Sequence, residues 1–111
     1  MTARVPGAAV AVLLAGASLA SLAQAQDAAA GKARAAACAM CHGPQGIAVA
    51  PDTPNLAGQP ASYLSEQLKA YRDGTRKHEI MSLMAKPLVD ADIANLAAWF
   101  SSIKVEASTT K

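Results

Sequence analysis

Aromatic residues are scarce in this chain of 111 residues, which has one tryptophan, one phenylalanine and two tyrosines. Much of its remaining apolar content is alanine. A short chain with so few large apolar side chains can bury only a small core. Domains of this size usually need a further stabilising element, such as disulfides or a bound metal. We therefore expect something besides side-chain packing to complete the core.

The chain also lacks a marked excess of charge of either sign. Ten lysines and arginines stand against eight aspartates and glutamates. One of the ten, Arg4, lies in the N-terminal segment, so residues 26–111 carry nine basic and eight acidic side chains. Nucleic-acid-binding domains usually have a clear basic excess. The composition therefore argues against a nucleic-acid partner.

Long uncharged apolar runs are absent except at the N terminus, where residues 5–22 follow Arg4. Residues 23–25 read Ala-Gln-Ala, which is typical of a signal-peptidase cleavage site. An uncleaved membrane anchor is the alternative, but the run is short for a membrane span. We predict a cleaved signal peptide over residues 1–25, export to the periplasm and no permanent membrane anchor.

Cysteine occurs only twice, as Cys38 and Cys41, and His42 follows directly. The C-x-x-C-H pattern is typical of c-type haem attachment. Each thiol can add to one vinyl group of the porphyrin, and the spacing places both sulfurs on one side of a helical turn. The histidine then lies under the ring, within reach of the iron. The pattern predicts one covalent haem c, whose porphyrin would also supply the missing apolar volume.

Other uses of two nearby cysteines are a thioredoxin-like redox pair, a structural disulfide or half of a zinc site. A redox pair would be expected beside a βαβ pattern, and the sequence has no convincing strand. A zinc site needs two further Cys or His ligands, whereas His78 is the only other histidine. The haem interpretation is therefore favoured.

Helical periodicity predicts three main helices, over about residues 27–37, 60–73 and 90–103. Asp27 and Asp90 are candidate N-caps of the first and third. The predicted domain covers residues 26–104, and residues 105–111 are predicted to be a flexible tail.

The stretch from His42 to residue 59 is rich in glycine and proline and has no periodicity. Loops of this length in compact domains usually have a function. We expect this one to wrap one face of the haem, with Val49 and Leu56 packed on the ring.

Residues 75–89 form a second predicted connection, and it contains the candidates for a sixth iron ligand. Met40 is held inside the attachment motif and cannot reach the far side of the iron. The candidates are therefore Met81, Met84 and His78.

These motifs in this order resemble a class I c-type cytochrome. The resemblance is to the small bacterial periplasmic single-haem type, of the c553 kind, and to each half of the dihaem c4-type proteins. The matching stretches are residues 38–43, 54–59, 63–68, 80–84 and 88–100. The resemblance implies an all-α fold of three main helices, with loops wrapped around one covalent haem c. It also implies that the terminal helices cross with Gly31 near Trp99 and Phe100.

The resemblance further implies roles for single residues. The carbonyl of Pro54 would accept a hydrogen bond from His42, an arrangement that orients a ligating imidazole. Met81, seven residues before Leu88, would be the sixth ligand. Met84 would pack on the haem edge and is the alternative ligand.

With His42 and Met81 both bound, the iron would have no open position, so one-electron transfer is favoured over enzymatic turnover. The expected partners are a periplasmic dehydrogenase, oxidase or reductase, and the chain would be a monomer or weak dimer. A basic group could steer an acidic partner. Its members are Lys69, Arg72, Arg76, Lys77 and Lys86. The alternatives are a haem subunit of a larger oxidoreductase and, if no methionine binds iron, an open-site sensor or enzyme.

Overall fold

The computed structural model describes residues 1–12, 16 and 26–110. Residues 1–12 are exposed and have no regular secondary structure. The predicted cleavage site and residues 13–15 and 17–25 of the predicted signal peptide lie outside the described residues. No helix within these ranges is long and apolar enough to cross a membrane.

Over the described ranges the secondary structure is helical, without strands, which confirms the predicted all-α class. The elements in chain order are α1 (Ala28–Arg34), a 3₁₀ turn (Ala35–Ala37), α2 (Ala39–His42), α3 (Ala61–Asp73), α4 (Met81–Ala85) and α5 (Asp90–Ser102).

Helices α1 and α5 cross closely at Gly31. A Cβ at this buried position would collide with the backbone oxygen of Asn95 and would lie 2.9 Å from Cβ of Trp99. A hydrogen bond also connects the start of α1 to α5, because the Asp27 backbone N–H donates to Oδ1 of Asn95 at 2.9 Å. The Asp27 side chain meanwhile caps α1, as predicted, by accepting two backbone N–H bonds. The predicted contact between Gly31 and Trp99 is therefore present, and the Asn95 backbone lies closer still.

The core lies where α3, α1 and the 3₁₀ turn after α1 pack against α5. Its buried members are Ala35, Leu64, Leu96, Ala97 and Phe100. Helix α3 begins directly after a proline and ends at Gly74, whose φ of 83° places it in the left-handed region that favours glycine. Among the described residues, the fully buried members of this core include one aromatic ring, that of Phe100, and Trp99 packs against them partly buried, which agrees with the small apolar volume of the sequence.

Helix α4 was not predicted, because five residues are too few for periodicity to reveal. Its start is stabilised by His78, whose Nδ1 accepts the backbone N–H groups of Ile80 and Met81, each at 3.2 Å. The His78 backbone N–H in turn donates to Oγ of Ser82 at 3.0 Å. The two residues therefore satisfy donors that a helix start leaves without partners.

The predicted capping role of Asp90 in α5 is wrong. Val89 occupies the N-cap position, and its backbone N–H donates to Oδ2 of Asp92 at 3.2 Å. Asp90 is the first helical residue, and its carboxylate accepts a hydrogen bond from Nη1 of Arg72 at 2.7 Å. The carboxylate that was expected to cap α5 is therefore bound instead to a charged side chain of α3.

Candidate cofactor site

A cavity of about 720 Å³ opens between α2, the following loop, α3, α4 and α5. Its size lies within the range of small-molecule and cofactor pockets, and aliphatic, aromatic and thioether side chains make up much of its wall. Most of the residues predicted for the site, with the exception of Val49, line this one cavity: Cys38, Cys41, His42, Pro54, Leu56, Met81 and Met84. Tertiary structure thus brings together residues that are up to 46 positions apart in the chain.

Among the described residues, His42 is the one titratable side chain that is buried, with 6% of its surface exposed. Its Nδ1 lies 2.9 Å from the carbonyl oxygen of Pro54. A carbonyl oxygen can only accept, so Nδ1 carries the proton and Nε2 keeps a lone pair. This is the arrangement of a metal-ligating imidazole, in which the second nitrogen is fixed by a carbonyl or carboxylate.

Cys38 directly precedes the short helix α2, and Cys41 lies within it. The His42 backbone N–H donates to the carbonyl of Cys38 at 2.9 Å, which closes the turn that carries all three residues. Both thiols are half-buried, unpaired and part of the cavity wall. Burial raises the pKa of the Cys38 thiol, against the opposing effect of the Arg34 charge. The turn therefore presents two thiols and one imidazole to the same space.

The loop after α2 folds back across the chain at Gly46. Its φ is 75°, and a Cβ there would lie 2.8 Å from the ring of Phe100. The Gly46 carbonyl accepts the backbone N–H of Leu56 at 2.7 Å. Leu56 is consequently half-buried against the core and lines the cavity.

The expectation that Val49 packs on the ring is wrong. Its side chain is 66% exposed and is not part of the cavity wall. The Val49 backbone N–H donates to the carbonyl of Cys41 at 3.0 Å. This bond holds the residue beside α2 and away from the cavity.

The three candidates for a second axial ligand all contribute to the cavity wall. Met81 is half-buried at the start of α4, whereas Met84 is 41% exposed. Nδ1 of His78 already accepts two backbone N–H groups, so only its Nε2 remains for another partner. The three residues thus differ in burial and in the bonds they already make.

The cavity wall also includes residues that sequence analysis did not assign to the site, among them Tyr63, Gln67, Tyr71 and Arg76. The first three are spaced four apart on α3 and so share one helix face. That spacing was the available signal, but the face is polar and does not stand out as an apolar stripe. Arg76 was assigned only to the basic group.

A zinc site at the two cysteines would lack further ligands in the part of the chain that the structure describes. No three side chains of His, Cys, Asp or Glu come together there. The cavity instead offers apolar walls, two thiols, one oriented imidazole and thioethers. These groups fit a covalently attached haem, whose apolar ring needs such walls and whose iron accepts imidazole and thioether ligands.

Comparison with known proteins agrees with this fit. The family model described as cytochrome c matches residues 28–104. Cytochrome c-554(548) of Halomonas halodenitrificans is 51% identical over 79 residues, which cover 68% of this chain and 95% of that protein. Cytochrome c4 of Pseudomonas aeruginosa is 46% identical over 79 residues, which cover 71% of this chain and 39% of that protein.

Among solved structures, reduced recombinant cytochrome c4 from Pseudomonas stutzeri has a TM-score of 0.67 and 42% identity. That match covers 72% of this chain and 47% of the solved chain. The chain therefore spans nearly all of one relative but less than half of these two c4 proteins. It belongs to the cytochrome c family, as a class I c-type cytochrome that carries one covalent haem c and transfers electrons.

Proposed function

We propose that this chain carries single electrons in the periplasm through a haem iron held by His42 and Met81, with Cys38 and Cys41 as the covalent attachments. The observation that carries the proposal is the shared cavity, in which an imidazole with a fixed Nδ1 and a half-buried thioether meet the two thiols. Bound haem supplies an iron that alternates between Fe(III) and Fe(II).

The residues of the chain favour the reduced state and keep the site unchanged between the two states. The soft thioether of Met81 stabilises Fe(II) and raises the reduction potential. The apolar wall, which includes Leu56, disfavours the additional positive charge of the oxidised site. The Pro54 carbonyl holds the His42 ring in both states. Little rearrangement then opposes the transfer of an electron.

Met81 is favoured over Met84 by its position in α4. Its backbone N–H is held by His78 at 3.2 Å, and its side chain is half-buried. Met84 is 41% exposed at the cavity edge, which suits packing against the ring border. A buried and anchored thioether loses less conformational entropy on binding iron than an exposed one.

The test compares Met81→Ala with Met84→Ala in the exported holoprotein. We expect Met81→Ala to abolish the weak far-red absorption band of the methionine–Fe(III) bond, and Met84→Ala to preserve it. The opposite pattern would make Met84 the ligand. Persistence of the band in both variants would show that either methionine can bind the iron, and absence of the band from the wild type would transfer the assignment to His78.

The periplasmic location is supported by the N-terminal sequence pattern and by the attachment chemistry, since covalent haem c is assembled outside the cytoplasm. Cell fractionation of the full chain, followed by N-terminal sequencing, tests this point. We expect the exported protein to begin at Gln26. Recovery of residues 1–25 on a membrane-bound product would contradict the cleaved leader.

The proposed partners are redox proteins that dock briefly at the cavity mouth. The cavity wall includes exposed apolar side chains, among them Met40 by 87%, Ile80 by 56% and Leu83 by 72%. Such an exposed apolar patch is typical of an interaction surface. We propose a dehydrogenase, oxidase or reductase as donor or acceptor, without turnover of a substrate at the iron.

The basic group retains fewer steering charges than its composition indicates. Arg72 is bonded to the carboxylates of Asp73 and Asp90, which offset its charge. Steering of an acidic partner would therefore rest on the other four members, Lys69, Arg76, Lys77 and Lys86. The association rate should fall as ionic strength rises, and an unchanged rate would remove the electrostatic part of the proposal.

As a second candidate function, we propose that the chain serves as the haem subunit of a larger oxidoreductase, because the exposed apolar side chains of the cavity wall also suit a permanent contact with a catalytic subunit. Co-purification of the native chain with a catalytic subunit would support this role. Recovery as a free carrier that still exchanges electrons would contradict it.

A further inference from the structure

We propose that Arg76 binds a carboxylate of the haem and thereby sets the reduction potential, with Gln67 and Tyr71 holding its guanidinium in place. The inference rests on the cofactor and electron-transfer function described above. Haem carries two propionate side chains, so a site for it must accommodate two carboxylates as well as an apolar ring. The apolar wall and the axial ligands leave these carboxylates without an assigned partner.

The side chain of Arg76 is held from two directions at the cavity wall. Its Nη1 donates to Oε1 of Gln67 at 2.6 Å. Its Cζ lies 4.6 Å from the centroid of the Tyr71 ring, a cation–π contact. The Arg76 backbone N–H donates to the carbonyl of Ala70 at 3.1 Å. Because these contacts use only part of the five-donor fork, the guanidinium is placed in advance and still has donors for a planar acceptor.

Arg76 differs from the other charged residues around the cavity in its salt bridges. The charged residues that line the cavity are Arg34, Arg76 and Asp52. Arg34 lies 3.6 Å from the carboxylate of Asp92, so it already has an anionic neighbour. Within residues 26–110, no salt bridge involves Arg76. A positive charge that is fixed at a cofactor cavity and lacks a carboxylate partner among these residues suits an anionic group of the cofactor.

The position of Arg76 also suits a carboxylate rather than the ring. Arg76 is exposed, and its neighbours Gln67, Tyr63 and Tyr71 bring polar atoms to this part of the wall. A propionate placed here would keep contact with water while the porphyrin stayed among apolar side chains. This placement avoids the large cost of burying a carboxylate away from water.

The pairing has two consequences for the redox equilibrium. The positive charge opposes oxidation of the iron, so its removal should favour Fe(III). It also keeps the nearby carboxylate ionised, because an adjacent cation lowers a carboxyl pKa. Without Arg76, that carboxylate should take up a proton nearer neutral pH, and protonation would then favour Fe(II). The variant should therefore have a lower potential that rises as pH falls.

The experiment measures the reduction potential of the full-length holoprotein between pH 5 and 8 for the wild type, Arg76→Gln, Arg76→Lys and Lys77→Gln. Lys77→Gln is the matched control, because it removes the same charge from the neighbouring residue, which does not line the cavity. For Arg76→Gln at pH 8 we expect a shift of about tenfold in the equilibrium constant towards Fe(III), equivalent to about 59 mV for one electron. We also expect a new pH-dependent slope, which Lys77→Gln should lack.

Arg76→Lys keeps the charge and loses the planar fork, so it should retain most of the potential and show an intermediate slope. This variant carries the test if Arg76→Gln fails to hold haem. The proposal is overturned if Arg76→Gln, or Arg76→Lys in its place, has the same potential and pH profile as Lys77→Gln. The far-red methionine band of each variant separates this failure from failure of the axial-ligand assignment, since the band depends on Met81 and not on the carboxylate.

Discussion

At Gly31, the absence of a side chain allows two helices to approach each other. A Cβ would occupy the position of the Asn95 backbone oxygen, and backbone cannot move aside as a flexible side chain can. The Asp27 hydrogen bond to Asn95 depends on the same close approach. The absence of a side chain at Gly31 therefore determines how closely α1 packs against α5. Because residues of α5 also line the cavity, this contact affects the position of that part of the cavity wall.

We predict that Gly31→Ala destabilises the holoprotein. At an ordinary helical site the change stabilises by about 0.4–1 kcal/mol, because alanine restricts the unfolded chain. Here overpacking should outweigh that gain and lower the free energy of unfolding by about 1–3 kcal/mol or more. Urea denaturation measures the effect. An unchanged or higher midpoint would show that the crossing relaxes without cost.

Ala33→Gly is the control, since residue 33 is exposed on the same helix. This change removes a Cβ instead of adding one and should cost about 1 kcal/mol through helix propensity alone. A larger effect at Gly31 would then reflect the crossing and not the helix itself.

At the scale of elements, Arg72 links α3 to the start of α5. Its guanidinium donates to Asp90 at 2.7 Å, to Asp73 at 3.0 Å and to the Leu88 carbonyl at 3.3 Å. These contacts hold the connection after α4 between two longer helices. Because α4 carries both methionines, this link helps to determine where the thioethers lie.

We predict that acid weakens this link. Hydrogen bonding to Arg72 lowers the pKa of the Asp90 carboxyl in the folded protein. A lowered folded pKa means that the stabilisation is present above the unfolded pKa and is lost as pH falls through the lower, folded value. Asp90→Asn should therefore be less stable than the wild type at neutral pH and should lose less stability between pH 6 and pH 3.

Thermal unfolding of both proteins at several pH values checks this prediction. Glu66→Gln, on an exposed part of α3, serves as the control and should follow the wild-type acid profile. If Asp90→Asn also follows that profile, the ion pair contributes nothing to the acid response.

We predict that the capping of α4 by His78 supports methionine ligation. His78→Ala removes the acceptor of two backbone N–H groups, a change that typically costs about 0.5–2 kcal/mol at a helix start. The far-red methionine band should persist at room temperature and disappear on heating at a lower temperature than in the wild type. Lys77→Ala should leave the temperature unchanged. A haem spectrum altered at room temperature would instead indicate that His78 binds iron.

At the scale of the whole molecule, the cavity is large for the protein that surrounds it. A space of about 720 Å³ lies beside a core with one aromatic ring. An empty space of this kind would remove packing contacts from the side chains around it. The fold and the cofactor are therefore mutually dependent.

We predict that the chain without haem does not fold cooperatively. Cys38→Ala combined with Cys41→Ala should prevent covalent attachment and yield a chain whose helical signal melts without a sharp transition. Circular dichroism during heating measures this, with the holoprotein as reference. A cooperative transition near that of the holoprotein would show that side-chain packing alone stabilises the fold.

How well each feature could be predicted depended on how far apart in the chain its interacting residues lie. Cys38, Cys41 and His42 are neighbours in the chain, so their spacing alone indicated a haem site. The long helices appear in periodicity over many residues. Helix α4 is too short for that signal, and its start depends on the His78 side chain. Val49 was placed wrongly because its position depends on loop hydrogen bonds, such as that from its backbone N–H to Cys41, which leave no periodic signal in the sequence.

The sequence by itself determined the attachment motif, the helical class and the small core, because these depend on local spacing and composition. Only the tertiary structure decided which distant residues share the cavity. The placement of Arg76 beside Gln67 and Tyr71 depends on how the chain leaves α3, and the bond from His42 to Pro54 depends on how the loop turns back at Gly46. Such contacts arise from packing between segments, which no local pattern of residues records.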